Sequence, residues 1–236
     1  MKTCLCLLLI ISSWPAFSNE KVTIFIQEYQ PYISINNKEL SGVSVDLLKS
    51  LFDRAGIEYA LKSRPFKRAY ETVLGNTHES EGEQCLFPMQ ATQENAADFK
   101  WIGPVMVTES GFFAKDTVIR HISELKGKTI GSYIGSVDGE SLERLGFSVE
   151  YTRNTLLNAL KVDADRMVAL VEDIKVAEHI LNKNKIEDVE LVYPYKKYLN
   201  YLACGSTLSE EKYKKLESSL SYLYEDGSIK SLIKML

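Results

Sequence analysis

Short apolar, β-branched runs alternate with segments of helical periodicity along most of the chain. Leu47, Leu48, Leu51, Phe52 and Ala55, for example, recur at the spacing of one helix face. The runs that predict strands are 22–26, 57–61, 84–89, 105–114, 129–133, 149–151, 167–171, 189–192 and 201–204. The segments that predict helices are 45–55, 66–74, 141–145, 156–161, 174–181, 209–224 and 228–236. This alternation predicts an α/β fold with mostly parallel sheets, in which ligands bind beyond the carboxyl ends of the strands.

The first 18 residues have the features of a secretory signal peptide. Lys2 precedes an apolar run at 5–11, and Ala16-Phe17-Ser18 resembles a small-residue cleavage site. The run is too short to cross a membrane, and no later segment has the roughly 18 uninterrupted apolar residues that a spanning helix needs. We therefore expect a soluble protein that is exported, with the mature chain beginning near Asn19.

Charge and composition exclude several classes of function. Lys2 is the only charged residue within 1–18, so the mature chain is one unit more negative than the −4 of the full sequence, which argues against a nucleic-acid partner. The histidines at 78, 121 and 179 are far apart, and neither mature cysteine lies near one at metal-ligand spacing, so we expect neither a metal nor a cofactor. Cys85 and Cys204 allow two interpretations, a disulfide or two buried free thiols.

Six segments together carry a resemblance to a known family. They are YQPYISINNKELSGVSVDLL, RPFKRAYETVLG, ATQENAADFKWIGPV, ELKGKTIGSYIGS, DRMVALVED and LYEDGSIKSLI. In this order they resemble the periplasmic solute-binding proteins of the polar amino-acid uptake family, often called family 3, over essentially the whole mature chain. The resemblance implies a type II periplasmic-binding-protein-like fold of two α/β lobes with helices on both faces of the sheets, joined by two hinge strands. The ligand would bind in the cleft, which closes by hinge bending.

The resemblance also implies domain bounds and partners. After a signal peptide at 1–18, lobe 1 would comprise 19–108 and 203–236, and lobe 2 would comprise 109–202. The protein would be a monomer that binds a small, amino-acid-like molecule and delivers it to a membrane importer of the ABC type, without enzymatic activity. Two alternatives remain open: a receptor for a membrane sensor, and an exported enzyme similar to cyclohexadienyl dehydratases, in which Glu172 or Asp173 would act as acid or base.

In the first lobe, the resemblance implies that three segments carry ligand-binding residues. Tyr29 and Tyr32 match a loop in which an aromatic ring covers the ligand, although both could simply pack that loop. Arg68, with Arg64 nearby, matches a helix that lies near the cleft, and a solvated helix face is the alternative. Thr92 and Asn95 match a Thr-x-x-Arg segment, predicted here as a short polar helix that Thr92 caps.

Asn95 stands where the family has an arginine that clamps the ligand's α-carboxylate. Two explanations remain open, namely that Arg68 supplies the missing charge or that the ligand has no free α-carboxylate. In the second lobe, Ser136 matches a turn that directs hydroxyl and N–H groups at the ligand, and Asp173 matches the carboxylate that binds the ligand ammonium. Asp173 could equally cap the helix that begins at residue 174.

Overall fold

The computed structural model describes residues 21–37 and 39–233, which form ten strands and seven α-helices. The strands are β1 (Val22–Ile26), β2 (Ser34–Asn36), β3 (Glu39–Ser41), β4 (Tyr59–Ser63), β5 (Gln84–Gln90), β6 (Lys100–Lys115), β7 (Thr129–Tyr133), β8 (Ser148–Thr152), β9 (Ala169–Asp173) and β10 (Val189–Cys204). The helices are α1 (Val43–Ala55), α2 (Phe66–Val73), α3 (Val137–Arg144), α4 (Thr155–Asp163), α5 (Ile174–Asn184), α6 (Glu210–Glu225) and α7 (Ser228–Ile233).

Eight strands form one sheet that is parallel at both ends and antiparallel at its centre. Their order is β4-β1-β5-β10-β6-β9-β7-β8. β4, β1 and β5 are parallel to one another, as are β9, β7 and β8. β6 and β10 lie between these two halves and pair antiparallel along their whole length. The predicted α/β class is confirmed, and we call the half that contains β1 the first half and the half that contains β7 the second half.

Alternate residues of the strands explain why helices cover both faces of each half. Ile24 and Ile26 belong to a buried cluster that includes α1 and α6, whereas Phe25 belongs to a cluster on the other face that includes α2. Phe112 and Phe113 likewise point into two different clusters of the second half. Because neighbouring residues of a strand point to opposite faces, each half has a core on both sides of its sheet.

The two mature cysteines form a disulfide. Cys85 of β5 lies directly opposite Cys204 of β10 in the antiparallel pairing, and the two sulfur atoms are 2.00 Å apart. Of the two interpretations that the sequence left open, the disulfide is the one that the structure supports. It closes a loop of 119 residues within the chain.

The structure corrects the prediction of separate strands at 189–192 and 201–204. Both belong to the single strand β10, and the tyrosine-rich passage between them pairs with β6 through three register shifts. Tyr193 and Tyr195 place their rings against Phe112, at centroid distances of 6.3 and 5.2 Å. Tyrosine rings therefore supply the apolar surface of this strand. Because Lys196 and Lys197 follow Tyr195, the same passage resembles a polar loop in the sequence.

The predicted helix at Thr92 is wrong, because residues 91–99 form a series of turns. The side chain of Asn95 replaces helical hydrogen bonding: its Oδ1 accepts from the backbone N–H of Thr92 at 2.7 Å, and its Nδ2 donates to the carbonyl of Gln90 at 3.1 Å. Short amide side chains compete with regular backbone pairing in this way. Thr92 is exposed and caps no helix.

Two predictions lie beyond what the described residues address. The predicted signal peptide at 1–18 lies outside them, and the predicted lobe bounds of 19–108, 109–202 and 203–236 stay predictions. Within 21–37 and 39–233, no helix has both the length and the apolar composition needed to cross a membrane.

Candidate functional site

A cavity of about 70 Å³ lies where the two halves of the sheet face each other. Its walls come from the first half, the second half and both long strands. The lining residues are Tyr29, Gln90, Thr108, Ser110, Tyr133, Ser136, Val137, Asp138, Glu172, Asp173 and Tyr198. Tyr133, Glu172 and Asp173 occupy the carboxyl ends of the parallel strands β7 and β9, where open α/β sheets bind ligands.

Asp173 joins three elements at the cavity wall. It ends β9, and its Oδ1 accepts from the N–H of Val176 at 3.1 Å, so it caps α5. The hydroxyl of Tyr32 donates to Oδ1 at 3.0 Å and approaches Oδ2 at 3.3 Å. Burial raises the pKa of Asp173 to about 6, although these hydrogen bonds oppose the shift. The capping role is therefore real, and a ligand-binding role for Asp173 stays a prediction.

Glu172 is the most deeply buried carboxylate of the cavity, with 4% of its surface exposed. It accepts hydrogen bonds from the hydroxyl of Thr155 and, at 2.9 Å, from the N–H of Asp173. Burial raises its pKa to about 7. Glu172 was predicted only as the acid or base of the enzymatic alternative, although two adjacent acids at the end of an apolar strand were a visible signal.

Asp138 is a third carboxylate of the cavity, and it was not among the predicted site residues. It lies in the first turn of α3, is buried, and accepts a hydrogen bond from the hydroxyl of Tyr198. Burial raises its pKa. The predicted helix at 141–145 began too late to include Asp138; α3 begins at Val137 because Ser136 caps it, accepting from the N–H of Gly139 at 3.2 Å.

Aromatic side chains form a large part of the remaining wall. Tyr29, Tyr133 and Tyr198 line the cavity, and burial raises the pKa of each phenol, so all three stay protonated near neutral pH. Tyr29 stacks on Tyr32, with ring centroids 5.5 Å apart and planes inclined by 17°. Tyr32 itself is only 3% exposed.

The loop that carries Tyr29 and Tyr32 is held by backbone contacts. Tyr29 and Ile33 exchange two N–H to carbonyl hydrogen bonds of 2.9 Å. Gly42 lies against the carbonyl oxygen of Tyr32 with a φ of +110°, a conformation that favours glycine, and a Cβ at this position would overlap that oxygen. The start of α1 therefore fixes the position of the Tyr32 loop.

The cavity contains some of the predicted site residues and not others. Tyr29, Ser136 and Asp173 line it, and Tyr32 contacts it through Asp173. Arg68 is exposed and pairs with Glu79, which also binds Arg64 at 2.6 Å. Thr92 and Asn95 belong to the turns of 91–99 described above, and neither lines the cavity. The structure thus separates the predicted set into a cavity group and a peripheral group.

The cavity is acidic. Asp138, Glu172 and Asp173 line it, and none of the described residues that line it is Lys or Arg. Lys196 is not among the lining residues, but it is exposed nearby, with its Nζ 4.8 Å from the ring centroid of Tyr198. Within 21–37 and 39–233, no cluster of His, Cys, Asp and Glu is arranged to hold a metal ion. The chemistry of the wall is therefore that of buried carboxylates, phenol rings and neutral hydroxyl groups.

Comparisons with known proteins give one curated relative and many structural neighbours. No protein-family model matches the sequence. The chain is 27% identical over 168 residues to the arginine-binding extracellular protein ArtP of Bacillus subtilis (strain 168), an alignment that covers 66% of this chain and 62% of that protein. The match thus spans less than two thirds of the relative's length.

Solved structures share the fold at low sequence identity. An ancestral arginine-binding protein bound to arginine matches with a TM-score of 0.72 and 19% identity, covering 92% of this chain and 98% of that chain. A histidine kinase sensor domain with similarity to periplasmic binding proteins matches with a TM-score of 0.74 and 14% identity, covering 91% and 94%. At these identities the solved structures show that the fold is shared.

Proposed function

Because the chain has the type II periplasmic-binding-protein fold and is related to the solute-binding proteins of polar amino-acid uptake, we propose that it captures a small polar solute for a membrane importer of the ABC type. The observation that carries this proposal is the cavity. Both halves of the sheet and both connecting strands contribute to its wall, so a bound solute contacts every part of the fold that moves on closure.

The names of similar proteins support a nitrogen-containing solute. The Bacillus subtilis relative is an arginine-binding protein, and the ancestral protein was solved with arginine bound. Acidic groups at the carboxyl ends of β7 and β9 suit the positively charged nitrogen that such solutes carry. We therefore propose a solute with an amino or guanidino group.

Two contacts between the halves support capture by closure. The Tyr32 hydroxyl bonds to Asp173, and Gln30 Oε1 lies 3.1 Å from His179 Nε2 on α5. Gln30 and Tyr32 belong to the first half, whereas Asp173 and His179 belong to the second. Opening the cavity to admit a solute must break both contacts, and closure over the solute re-forms them. Capture by such a movement requires no covalent chemistry.

The cellular setting forms part of the proposal. We propose a periplasmic protein that is exported by its signal peptide, acts as a monomer and performs no catalysis; two of the similar proteins named above, ArtP and the ancestral protein, are arginine-binding proteins. A sensor domain shares the fold, so the fold does not identify the membrane partner. Cross-linking of the solute-loaded protein in its native membranes should retrieve an importer permease, and retrieval of a sensor kinase would replace the importer role.

The direct test of solute capture is thermal unfolding of the purified protein with a broad library of polar solutes. A solute at 100 times its dissociation constant stabilises the folded state by about 2.7 kcal/mol. Glu190→Gln, which changes an exposed carboxylate that is not among the residues lining the cavity, is the control and should respond to the solute as the wild type does. If no solute raises the unfolding temperature, the protein is not a solute-binding protein of this kind.

A further inference from the structure

We propose that the natural ligand is an organic cation without a free carboxylate, such as an alkylamine or a guanidine, held by Asp138, Glu172 and Asp173 between tyrosine rings. This inference rests on the proposed function, because it concerns the ligand of the same cavity. It differs from the expectation of an ordinary amino acid, which would bring a negative charge into the cavity together with the positive one.

The hydrogen-bond partners of the three carboxylates add no positive charge, although Lys196 nearby partly offsets the charge of Asp138. Tyr198 donates to Asp138, Thr155 donates to Glu172, and Tyr32 donates to Asp173. All three donors are neutral hydroxyl groups, so they satisfy lone pairs without adding positive charge. A buried carboxylate that has no cationic partner is costly, and a ligand cation would relieve that cost. Burial raises the pKa of all three acids, which agrees with this lack of charged hydrogen-bond partners.

The rest of the wall also fits an organic cation. Tyr29, Tyr133 and Tyr198 line the cavity, and the face of an aromatic ring attracts alkylammonium and guanidinium groups. Each phenol stays protonated near neutral pH, so the rings add apolar surface and no further charge. A hydrated metal ion would gain little from such rings, whereas a cation with C–H or N–H groups would contact them directly.

The groups that would hold a ligand carboxylate are already engaged. Both polar atoms of the Asn95 amide bond to the backbone of its own loop. Arg64 and Arg68 pair with Glu79. Each of these residues therefore has a partner outside the cavity. A carboxylate that entered with the ligand would meet no arginine clamp.

The helix N-termini at the cavity also face negative charge from the protein itself. Asp138 lies in the first turn of α3, and Asp173 caps α5. A helix N-terminus attracts anions through its unpaired N–H groups, but these two positions already have a carboxylate beside them. A carboxylate that entered with the ligand would therefore lie close to Asp138 or Asp173 and be repelled.

The test is isothermal titration calorimetry with matched pairs that differ only in the carboxylate. The pairs are agmatine and arginine, putrescine and ornithine, histamine and histidine, and ethylamine and alanine. We expect at least one amine to bind, and to bind at least about tenfold more tightly than its amino acid, as expected when one carboxylate must be placed without a charged partner. Calcium chloride serves as the inorganic control and should bind more weakly than that amine.

Two charge-neutral variants test the site itself. Asp173→Asn removes the charge but keeps a side chain that caps helices well, and Glu172→Gln keeps an acceptor for Thr155. Each should weaken binding of the amine about 10- to 150-fold, whereas Glu190→Gln should leave it unchanged. Circular dichroism establishes that each variant is folded. Unchanged affinity in both folded variants would overturn the assignment of these carboxylates.

The outcomes separate this inference from the proposed function. If some solute binds but no amine binds more tightly than its own amino acid, or if calcium binds as tightly as the best amine, the organic-cation inference is wrong while solute capture stands. If neither the pairs nor any member of the broad solute library binds, both proposals fail.

Discussion

The hydroxyl of Tyr32 donates a hydrogen bond to Asp173 Oδ1 at 3.0 Å, and this contact connects the two halves of the sheet beside the cavity. Tyr32 comes from the loop between β1 and β2, whereas Asp173 both ends β9 and caps α5. This hydrogen bond therefore joins a residue of the first half to a carboxylate of the candidate site that also caps a helix.

Removing this hydroxyl should favour the open form. Tyr32→Phe keeps the ring and its stacking on Tyr29 but leaves Asp173 without a donor from the first half. We expect the ligand-free protein to become less compact in solution scattering, and its free energy of unfolding to fall by about 1–3 kcal/mol. The matched control is Tyr151→Phe, whose hydroxyl bonds to Glu143 at 3.1 Å within the second half. Equal compactness of wild type and Tyr32→Phe would show that this contact does not hold the cleft closed.

The stability of the ligand-free protein should depend on the protonation of Glu172. Its pKa is raised from 4.5 to about 7 by burial, so the folded state binds a proton more tightly than the unfolded state does. This contribution to stability is fully present below about pH 4.5 and is lost as the pH rises through 7. Asp173, whose pKa is raised to about 6, adds to it over a lower range.

Urea unfolding of wild type and Glu172→Gln across pH 4.5 to 8 isolates this effect. The variant should gain stability relative to the wild type as the pH rises, by on the order of 1–3 kcal/mol at pH 8. Comparing the two proteins cancels the opposite contribution of exposed acids with lowered pKa values, such as Glu79 and Asp226. Parallel pH profiles would mean that Glu172 titrates as it does in water.

Affinity for a cationic ligand should rise with pH between about 5.5 and 8. The cation binds the ionised carboxylates, so it lowers the raised pKa values of Glu172 and Asp173 and releases protons. Asp138 faces the same cavity, and Lys196, whose Nζ lies over the ring of Tyr198, partly offsets its charge. Calorimetry in two buffers of different ionisation enthalpy measures the protons released. Proton uptake on binding would contradict the predicted direction.

Gly42 should control the geometry of the Tyr32 loop. Gly42→Ala adds a Cβ that overlaps the Tyr32 carbonyl and imposes a positive φ on alanine, so we expect a loss of about 1–3 kcal/mol and weaker ligand binding. Gly56→Ala, at the other end of α1, is the control: its φ is +64°, but its Cβ meets nothing within 4 Å. It should lose about 1 kcal/mol and keep its affinity. Equal ligand affinity of Gly42→Ala and Gly56→Ala would show that the contact of Gly42 with the Tyr32 loop does not affect ligand binding.

The disulfide should stabilise the fold without contributing to the cavity. The Cys85→Ala/Cys204→Ala double variant opens a loop of 119 residues and should lose about 2–5 kcal/mol in urea unfolding. Cys85 lies on β5 of the first half, and Cys204 lies on the end of β10 that adjoins it. Ligand affinity at 25 °C should therefore be unchanged, and a large loss of affinity would show that the bond also sets the position of the two halves.

Regular strands could be predicted closely from the sequence. β1 and β7 have the predicted bounds, because apolar and β-branched residues end there at polar or glycine-containing turns. β10 was divided in two because tyrosines supply its buried surface between lysines, a pattern that resembles a polar loop. Local composition predicts a strand well when its buried residues are purely apolar. It fails when the buried surface comes from amphipathic side chains such as tyrosine.

The candidate site was predictable only in part, for a different physical reason. Tyr29, Ser136 and Asp173 follow strands and turns that local sequence identifies. The Asp138 to Tyr198 contact joins residues separated by 60 positions, and it depends on how the long strand β10 places Tyr198 beside α3. Asn95 aligns with a binding position, yet its amide folds back onto its own loop. Such pairings depend on tertiary structure that no local pattern contains.

The continuous pairing of β6 with β10 limits how the molecule can open. As long as these strands stay hydrogen-bonded, the halves can separate only by bending or twisting a two-stranded ribbon, and they cannot slide past each other. The same opposing surfaces therefore meet again after each cycle of opening. In the solute capture proposed above, discrimination between solutes would then be decided by the chemistry of those surfaces, while the ribbon keeps their alignment constant.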